Sequence, residues 1–395
     1  MNKQQNSGQS RVETHSADYT KKRHVFAWIL SVVAVFAVAA GLYSAYVYFQ
    51  AKNAVDKTYD SKNSVTVKKG EFNGKHSFAV LLLGTDTGAL DRTEKMGNTD
   101  TIIVAVVNPK KKRYSLISIP RDTLAQMVGA KSYTMEKINA AYSIGGAKMA
   151  MKSVSKLINV PIKYYALVNM GGLMKMIRYV GGINIKPLLS FEYSGYVFKK
   201  GKLTHMGGAG ALAYSRMRYE DPEGDYGRQK RQRQVITALV KKAVSLNSLS
   251  NLSSILKTVS SNVKTNLPFS ALQSIVVNYR SSAATEKSDY LHGYSTYIDE
   301  ASYQVMATKE LQRISNYVRK ELGLQTETIS NAETYQNKKN IANGFKFGAS
   351  EDQTYTVYSK NSTSSQSSES SDTSSRSDEE QNGGAGGNGG SGGGH

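Results

Sequence analysis

Between Val25 and Phe49 the chain carries no charged residue. As a helix this run rises roughly 37 Å, more than a hydrocarbon core of about 30 Å. Lys21, Lys22 and Arg23 stand directly before it, and Tyr43, Tyr46, Tyr48 and Phe49 crowd its far end. Positive-inside bias and an interfacial aromatic belt predict a single-pass cell-membrane protein, with residues 1–24 in the cytoplasm, a span over 25–49 and everything later outside. Ala37-Val38-Ala39 also resembles a signal-peptide cleavage site, but the apolar run continues past it, so an uncleaved anchor is expected. In both cases the remainder lies outside the membrane. The chain's net charge of +20 calls for a polyanion, and the location argues against nucleic acid and for anionic lipid or an anionic cell-wall polymer. The chain has no cysteine, which removes disulfides, thiol nucleophiles and thiolate metal sites.

Residues 50–75 read as a polar, lysine-rich stalk. From His76 the texture changes to short apolar runs bounded by turn residues: Phe78–Gly84, Thr101–Asn108 and Arg113–Pro120. These are expected to be strands, the last two joined as a hairpin through Asn108-Pro109-Lys110-Lys111-Lys112. A helix carrying Ala147, Ala150, Met151, Val154, Leu157 and Ile158 follows, then a strand in YYALVNM, a short helix in LMKMIRYV and a strand in INIK. Amphipathic helices are expected over Ser245–Leu267 and Ser302–Leu322. The fold class is α/β: one extracytoplasmic domain over 76–324, with a mixed sheet flanked by helices. Residues 325–395, rich in Ser and Gly toward the end, read as a disordered tail. Met149, Met151, Met170, Met174 and Met176 are core filler or the lining of a greasy lipid pocket.

If the first three strands run up, down, up, then Asp86, Asp100, Arg121 and Asp122 gather on one sheet edge. Each Asp alone suits a turn or helix cap; together they suit Mg²⁺, which takes one or two carboxylates and fills its shell with water and phosphate. The six histidines lack zinc spacing, and no Walker lysine loop follows a strand. The stretch ALAYSRMRYEDPEGDYGRQKRQRQVITALV adds Arg216 and Arg218, on one side if SRMRY is extended. Arg228, Arg231 and Gln232 follow on one face of a helix. Cations at a helix start oppose the macrodipole, so something negative belongs among them. A phosphate or pyrophosphate fits; a solvated basic face is the other reading.

At LLLGTD, NTDTIIVAVVNP, LISIPRDT, KINAAYSIGG, PIKYYALVNM, YVGGINI and YSRMRYEDPEGDYGRQKRQRQVI the chain resembles the LytR-CpsA-Psr family of cell-wall transferases. The resemblance implies a Gram-positive cell-wall enzyme. It would move a glycopolymer, teichoic acid or capsule-type, from an undecaprenyl-pyrophosphate carrier to a peptidoglycan hydroxyl, with formation of a phosphodiester. It further implies that Asp86 and Asp100 hold Mg²⁺. Arg121, Arg216, Arg218, Arg228 and Gln232, with Arg231 on the same face, would grip the pyrophosphate, and Lys137 and Asn139 would line the same site. Arg228, Asp225 and Arg121 would be the catalytic residues, Asp225 acting near the attacking hydroxyl or orienting Arg228. The chain departs from the family pattern at Gly88 and Asn98, where an Arg is common; Arg92 is a candidate replacement for one of them. Phosphoryl transfer needs charge neutralisation and positioning more than a protein nucleophile, which suits such a site. A polyprenyl-pyrophosphate hydrolase and a non-catalytic binder of anionic wall polymer are the alternatives.

Overall fold

The expected hairpin is the spine of the molecule. The computed structural model describes residues 56–87, 97–245, 261–349 and 353–359, with isolated positions between 41 and 53. Within it β1 (Phe78–Thr85) pairs antiparallel with β2 (Thr99–Asn108), and β2 pairs antiparallel with β3 (Arg113–Ser118). A small ribbon of β4 (Leu124–Gln126) and β5 (Met135–Lys137) leads into α1 (Ala140–Leu157), whose path breaks at Gly145 and Gly146. Next come β6 (Tyr164–Asn169), α2 (Met170–Tyr179), β7 (Ile183–Ile185) and a hairpin of β8 (Phe191–Tyr193) and β9 (Tyr196–Phe198). The chain continues through β10 (Thr204–Met206), α3 (Gly208–Arg216) and α4 (Gly224–Ser245). It closes with β11 (Val263–Thr265), α5 (Phe269–Asn278), β12 (Thr285–Tyr290), β13 (Tyr294–Ile298), β14 (Ala301–Val305), α6 (Thr308–Leu322) and α7 (Ala332–Ala342).

The central sheet has the order β11-β6-β1-β2-β3-β12. β1 and β6 are parallel, as are β3 and β12, so the sheet is mixed as expected. This direction pattern puts the ends of β1, β3, β6 and β12 and the starts of β2 and β11 on one edge, here called the top. Side chains alternate between two faces. Ala79, Leu81 and Leu83 pack with Val104, Val106 and Ile117 under α1 and α6. On the other face Ile103, Tyr114 and Leu116 meet Leu82 and the α4 residues Ile236 and Val240. The arginine-rich helix is thus laid across the second face of the sheet.

Four expectations change. SRMRY is not extended: Arg216 is the last residue of α3 and Met217 its C-cap, because the small apolar residues from Gly208 to Ala213 make a buried helix ending there. The expected helix over Ser245–Leu267 contains β11 at Val263–Thr265; residues 246–260 lie outside the described set. The front of the Ser302–Leu322 helix is the strand β14, and its helical part starts at Thr308. The domain also extends beyond 76–324 at both ends. Phe72 is buried against Phe78 and Tyr164, at 5.0 and 5.3 Å between ring centroids, and Asp60 accepts a 2.6 Å hydrogen bond from the Tyr165 hydroxyl. After 324, α7 has a capping box from Asn331 and Thr334, and Phe345 and Tyr355 are buried with Leu124 and Tyr303. Anchors this sparse show no periodicity, which is why both flanks read as polar linkers. The expected span lies outside the described residues except Gly41, Leu42, Ala45, Tyr46, Tyr48 and Phe49, which are helical. Among the described residues no helix is long and apolar enough to cross a membrane. Residues 360–395 of the expected tail also lie outside the described set.

The C-terminal addition carries a testable cost. Glu333 is fully buried; its Oε1 accepts the Gln126 amide at 2.8 Å while Oε2 has no hydrogen-bond partner. Burial raises its pKa above the usual 4.5, so the neutral form is favoured in the fold. That contribution is complete below pH 4.5 and is lost as pH rises through the raised value. Glu333→Gln is therefore expected to stabilise the domain at pH 7 by about 1 kcal/mol and to flatten its pH dependence, as read by urea denaturation at pH 5 and 7.

Candidate active site

A cleft of about 510 Å³ opens at the top of the sheet and runs down between the sheet and α4. Its mouth is charged: Asp86 follows β1, Asp100 starts β2, Arg121 follows β3, and they are faced by Arg216 at the end of α3, Arg218 in the connection after it, and Arg228 and Gln232 on α4. Its length is apolar, walled by Leu82, Ala166, Met170, Leu173, Met176, Leu212, Val235, Ile236 and Leu239. One stripe of α4 makes this change of character, because Arg228, Gln232, Val235, Ile236 and Leu239 recur at helical spacing. That stripe was available in the sequence and is the signal that would have located the apolar wall. The methionines divide: Met170 and Met176 line the cleft, whereas Met149 and Met151 belong to the core on the other face of the sheet.

The sequence EDPEGD supplies much of the negative charge that the helix start demands. Asp221 pairs with Arg231, Glu223 with Lys230 at 2.5 Å, and Asp225 with Arg228. The two buried arginines then differ. Arg231 is 1 % exposed and every arm of its guanidinium is used: Nε donates to the Tyr214 carbonyl at 3.0 Å, Nη2 to the Met217 carbonyl and Nη1 to Asp221. Its expected place in the anion site is corrected: it turns from the cleft toward Asp221, and each of its three nitrogens is already engaged. Gly227 makes room for this pair, since a Cβ there would stand 1.9 Å from the Asp221 carboxylate. Arg228 is 7 % exposed; its Nη2 is ion-paired with Asp225 Oδ1, and its Nε has no hydrogen-bond partner among the described residues. Burial lowers its pKa against the pull of Asp225, with Arg121 and Arg218 adding repulsion. Such an arginine has donor capacity left for a second anion beside Asp225.

Arg121 donates from Nη1 to Asp100 at 2.7 Å and stands 3.5 Å from Asp122 through Nε. Burial pulls its pKa down, but Asp100, Asp122 and Asp225 outweigh that and raise it. Arg216 and Arg218 make no ion pair with any described residue; Arg218 lies over the Tyr219 ring at 5.8 Å. Asp225 stands behind Arg228, off the cleft wall, and also accepts from Gln229 Nε2 at 2.8 Å. The two residues expected beside the pyrophosphate lie further off. Lys137 reaches Asp122 at 3.9 Å and the Tyr303 ring at 5.0 Å, outside the cleft lining. Asn139 is buried and works through its backbone: its amide donates to the Arg121 carbonyl and its carbonyl accepts from the Thr99 amide, both at 3.2 Å. It braces the turns that carry Arg121 and Asp100.

Among the described residues no group of three or more Asp, Glu or His is gathered as for a caged metal. Two carboxylates on one charged mouth fit Mg²⁺, which completes its octahedron with water and phosphate. The donor set of the cleft is thus two carboxylates, several guanidinium forks and an apolar barrel below them.

The sequence model described as the LytR_cpsA_psr family matches residues 43–320. The chain belongs to the LytR-CpsA-Psr family. It is 42 % identical over 303 residues to the Enterococcus faecalis polyisoprenyl-teichoic acid–peptidoglycan teichoic acid transferase TagU, covering 77 % of this chain and 99 % of that protein. The crystal structure of Bacillus subtilis TagU superimposes with a TM-score of 0.52 at 35 % identity, covering 63 % of this chain and 97 % of that one. A Streptococcus agalactiae protein, gbs0355, gives a TM-score of 0.63 at 35 % identity over 70 % of this chain and 98 % of its own. This LytR-CpsA-Psr protein is accordingly an enzyme, a transferase of the family's glycopolymer type. Of its departures from the family pattern, Gly88 lies outside the described residues, as does the candidate replacement Arg92, and Asn98 accepts a 2.8 Å hydrogen bond from the Ser143 hydroxyl.

Proposed function

We propose that this enzyme transfers an anionic glycopolymer of the teichoic acid type from an undecaprenyl-pyrophosphate carrier to a peptidoglycan hydroxyl, with Mg²⁺, on the outer face of the cell membrane. The observation that carries the reading is the single cleft with a guanidinium- and carboxylate-lined mouth above an apolar barrel. A diphosphate fits the first part and a polyprenyl chain the second. The relatives' names, which specify polyisoprenyl-teichoic acid and peptidoglycan, supply the polymer and the acceptor.

The acceptor hydroxyl oxygen forms a bond to the glycan-side phosphorus, and the bond from that phosphorus to the bridging oxygen breaks. Polyprenyl phosphate leaves with the bond's electrons, and the hydroxyl proton passes to solvent. Asp86 and Asp100 would hold Mg²⁺, which when bound neutralises charge on the diphosphate oxygens. Arg228, whose Nε is without a partner among the described residues, and Arg216 and Arg218, which ion-pair with no described residue, stabilise the same oxygens as charge moves toward the leaving group. Asp225 holds the Arg228 fork in place through their ion pair. Gln232 closes the inner side of the mouth. The uncharged run 25–49 would anchor the chain, with its N-terminus in the cytoplasm.

The test supplies a polyprenyl-diphosphate glycan and peptidoglycan oligomers, with Mg²⁺ or with chelator, and reads products by mass spectrometry. A glycan-phosphate-peptidoglycan adduct that appears only with metal is expected. Asp86→Asn and Asp100→Asn should each lower adduct formation by about 100-fold and shift the Mg²⁺ requirement upward. Released glycan phosphate without adduct would make the enzyme a hydrolase. An untouched donor with salt-sensitive polymer binding would make it a binder.

A further inference from the structure

We propose that the β8–β9 hairpin and its base form a membrane-contact surface that seats the cleft against an anionic bilayer. The inference rests on the lipid-linked donor proposed above. Leu188, Tyr196, Val197 and Leu203 are exposed, Val197 by 62 % and Leu203 by 60 %. They belong to one excursion of the chain. Tyr193 and Tyr196 are opposed across the hairpin, and Glu192 faces Val197. Lower down, the Gly201 amide donates to the Pro187 carbonyl and the Lys200 amide to the Ser190 hydroxyl, each at 2.9 Å, so residues 187–190 lie against 200–201.

The excursion is rigid. Ser194 and Gly195 turn it with positive φ of 52° and 76°, the signature of a tight two-residue hairpin. On its inner side Phe191 and Phe198 are buried against Tyr214, with ring centroids 5.8 and 5.2 Å away. Exposed apolar side chains are therefore presented on a fixed platform.

Charge selects what covers them. Lys186, Lys199, Lys200 and Lys202 are exposed on the same excursion, and Glu192 is its only carboxylate. A second copy of this surface would meet it with like charge. A soluble polyanion would satisfy the lysines and leave Leu188, Val197 and Leu203 in water. A bilayer with anionic headgroups satisfies both, as amphipathic elements with basic flanks do at lipid interfaces. Position gives the contact its use. Tyr193, next to the turn, itself lines the cleft. A polyprenyl chain would pass from the bilayer over Tyr193 into the barrel without crossing water.

The chain's lack of cysteine permits a direct test on the full protein in vesicles. A nitrobenzoxadiazole probe is attached at Val197→Cys and, as control, at the exposed Ala301→Cys in β14. In vesicles containing phosphatidylglycerol, iodide should quench the probe at 197 about fivefold less than at 301, and doxyl-labelled lipid should quench it only at 197. Replacing Lys199, Lys200 and Lys202 together by Gln should restore iodide quenching. Equal iodide quenching at the two positions would overturn the proposal. Protection from iodide without quenching by doxyl lipid would do the same, since the cover would then be protein or polymer. A second measurement separates this inference from the transferase reading. Leu188→Ser/Val197→Ser/Leu203→Ser should keep transfer from a short-prenyl, water-soluble donor and lose about tenfold from a long-prenyl donor held in vesicles. Equal loss with both donors would count against the membrane surface. If the parent transfers from neither donor, the transferase reading fails while the probe still decides where the hairpin sits.

Discussion

Arg228→Ala should lower transfer by about 10²- to 10³-fold while leaving the melting temperature unchanged or slightly raised. The two halves of this expectation come from the same geometry. Arg228 is buried with Asp225 as its ion-pair partner and with Nε lacking a hydrogen bond among the described residues, so the free enzyme carries a desolvated cation whose cost is only partly offset until a further anion arrives. Removing it takes away transition-state stabilisation and a folding penalty together. Asp225 loses the partner of its Oδ1 but keeps the hydrogen bond from Gln229 to Oδ2, which limits the cost. Steady-state adduct formation and a thermal melt on the same preparation check both halves. A large fall in melting temperature would place Arg228 in the scaffold instead.

Three residues further along the same helix the outcome inverts. Arg231→Ala should destabilise the domain by about 3–5 kcal/mol, because it leaves the Asp221 carboxylate and the carbonyls of Tyr214 and Met217 without their donors. In a domain of this size that is a fall on the order of 10 °C in melting temperature. Arg231→Lys should recover little, since one ammonium cannot reach three acceptors placed for a planar fork. Adding Asp221→Asn to Arg231→Ala should return part of the loss by discharging the stranded partner. At a temperature where both variants remain folded, Arg231→Ala should keep most of its turnover and Arg228→Ala almost none.

This contrast marks how far the amino-acid sequence could be read. The up-down-up order of the first three strands was legible from apolar runs and a Pro-Lys turn, and it placed Asp86, Asp100 and Arg121 on one edge correctly. Helical spacing also put Arg228 and Gln232 on one helix face, and both line the cleft. It could not separate Arg228 from Arg231, because residues three apart are neighbours on a helix, and which one turns inward depends on where Asp221 arrives after the DPEG turn. Arg216 and Arg218 reached the mouth by another route than the expected one, at the end of a helix rather than along a strand. Lys137 and Asn139 stand nearby, but their work is through Asp122 and through the backbone, which no spacing rule reveals. The flanks were misjudged because isolated anchors such as Phe72, Phe345 and Tyr355 bury large rings without any repeat.

The order of strands also has a consequence for how the chain comes together. The β1–β2–β3 meander is local, but its outer edge on β3 is paired only by β12, where Arg113 meets Thr285 and Ser118 meets Tyr290. The turn below β3 is likewise tied down late, by Glu321, which accepts from Lys111 at 3.0 Å and from Arg113. Contacts so distant along the chain form slowly. During synthesis or export β3 therefore waits as an open strand edge while more than half of the domain is still missing, and an open apolar edge is a template for pairing between chains. A partner that shields nascent β3, or simple dilution, should matter more to the yield of folded enzyme than any stabilising substitution in the finished core.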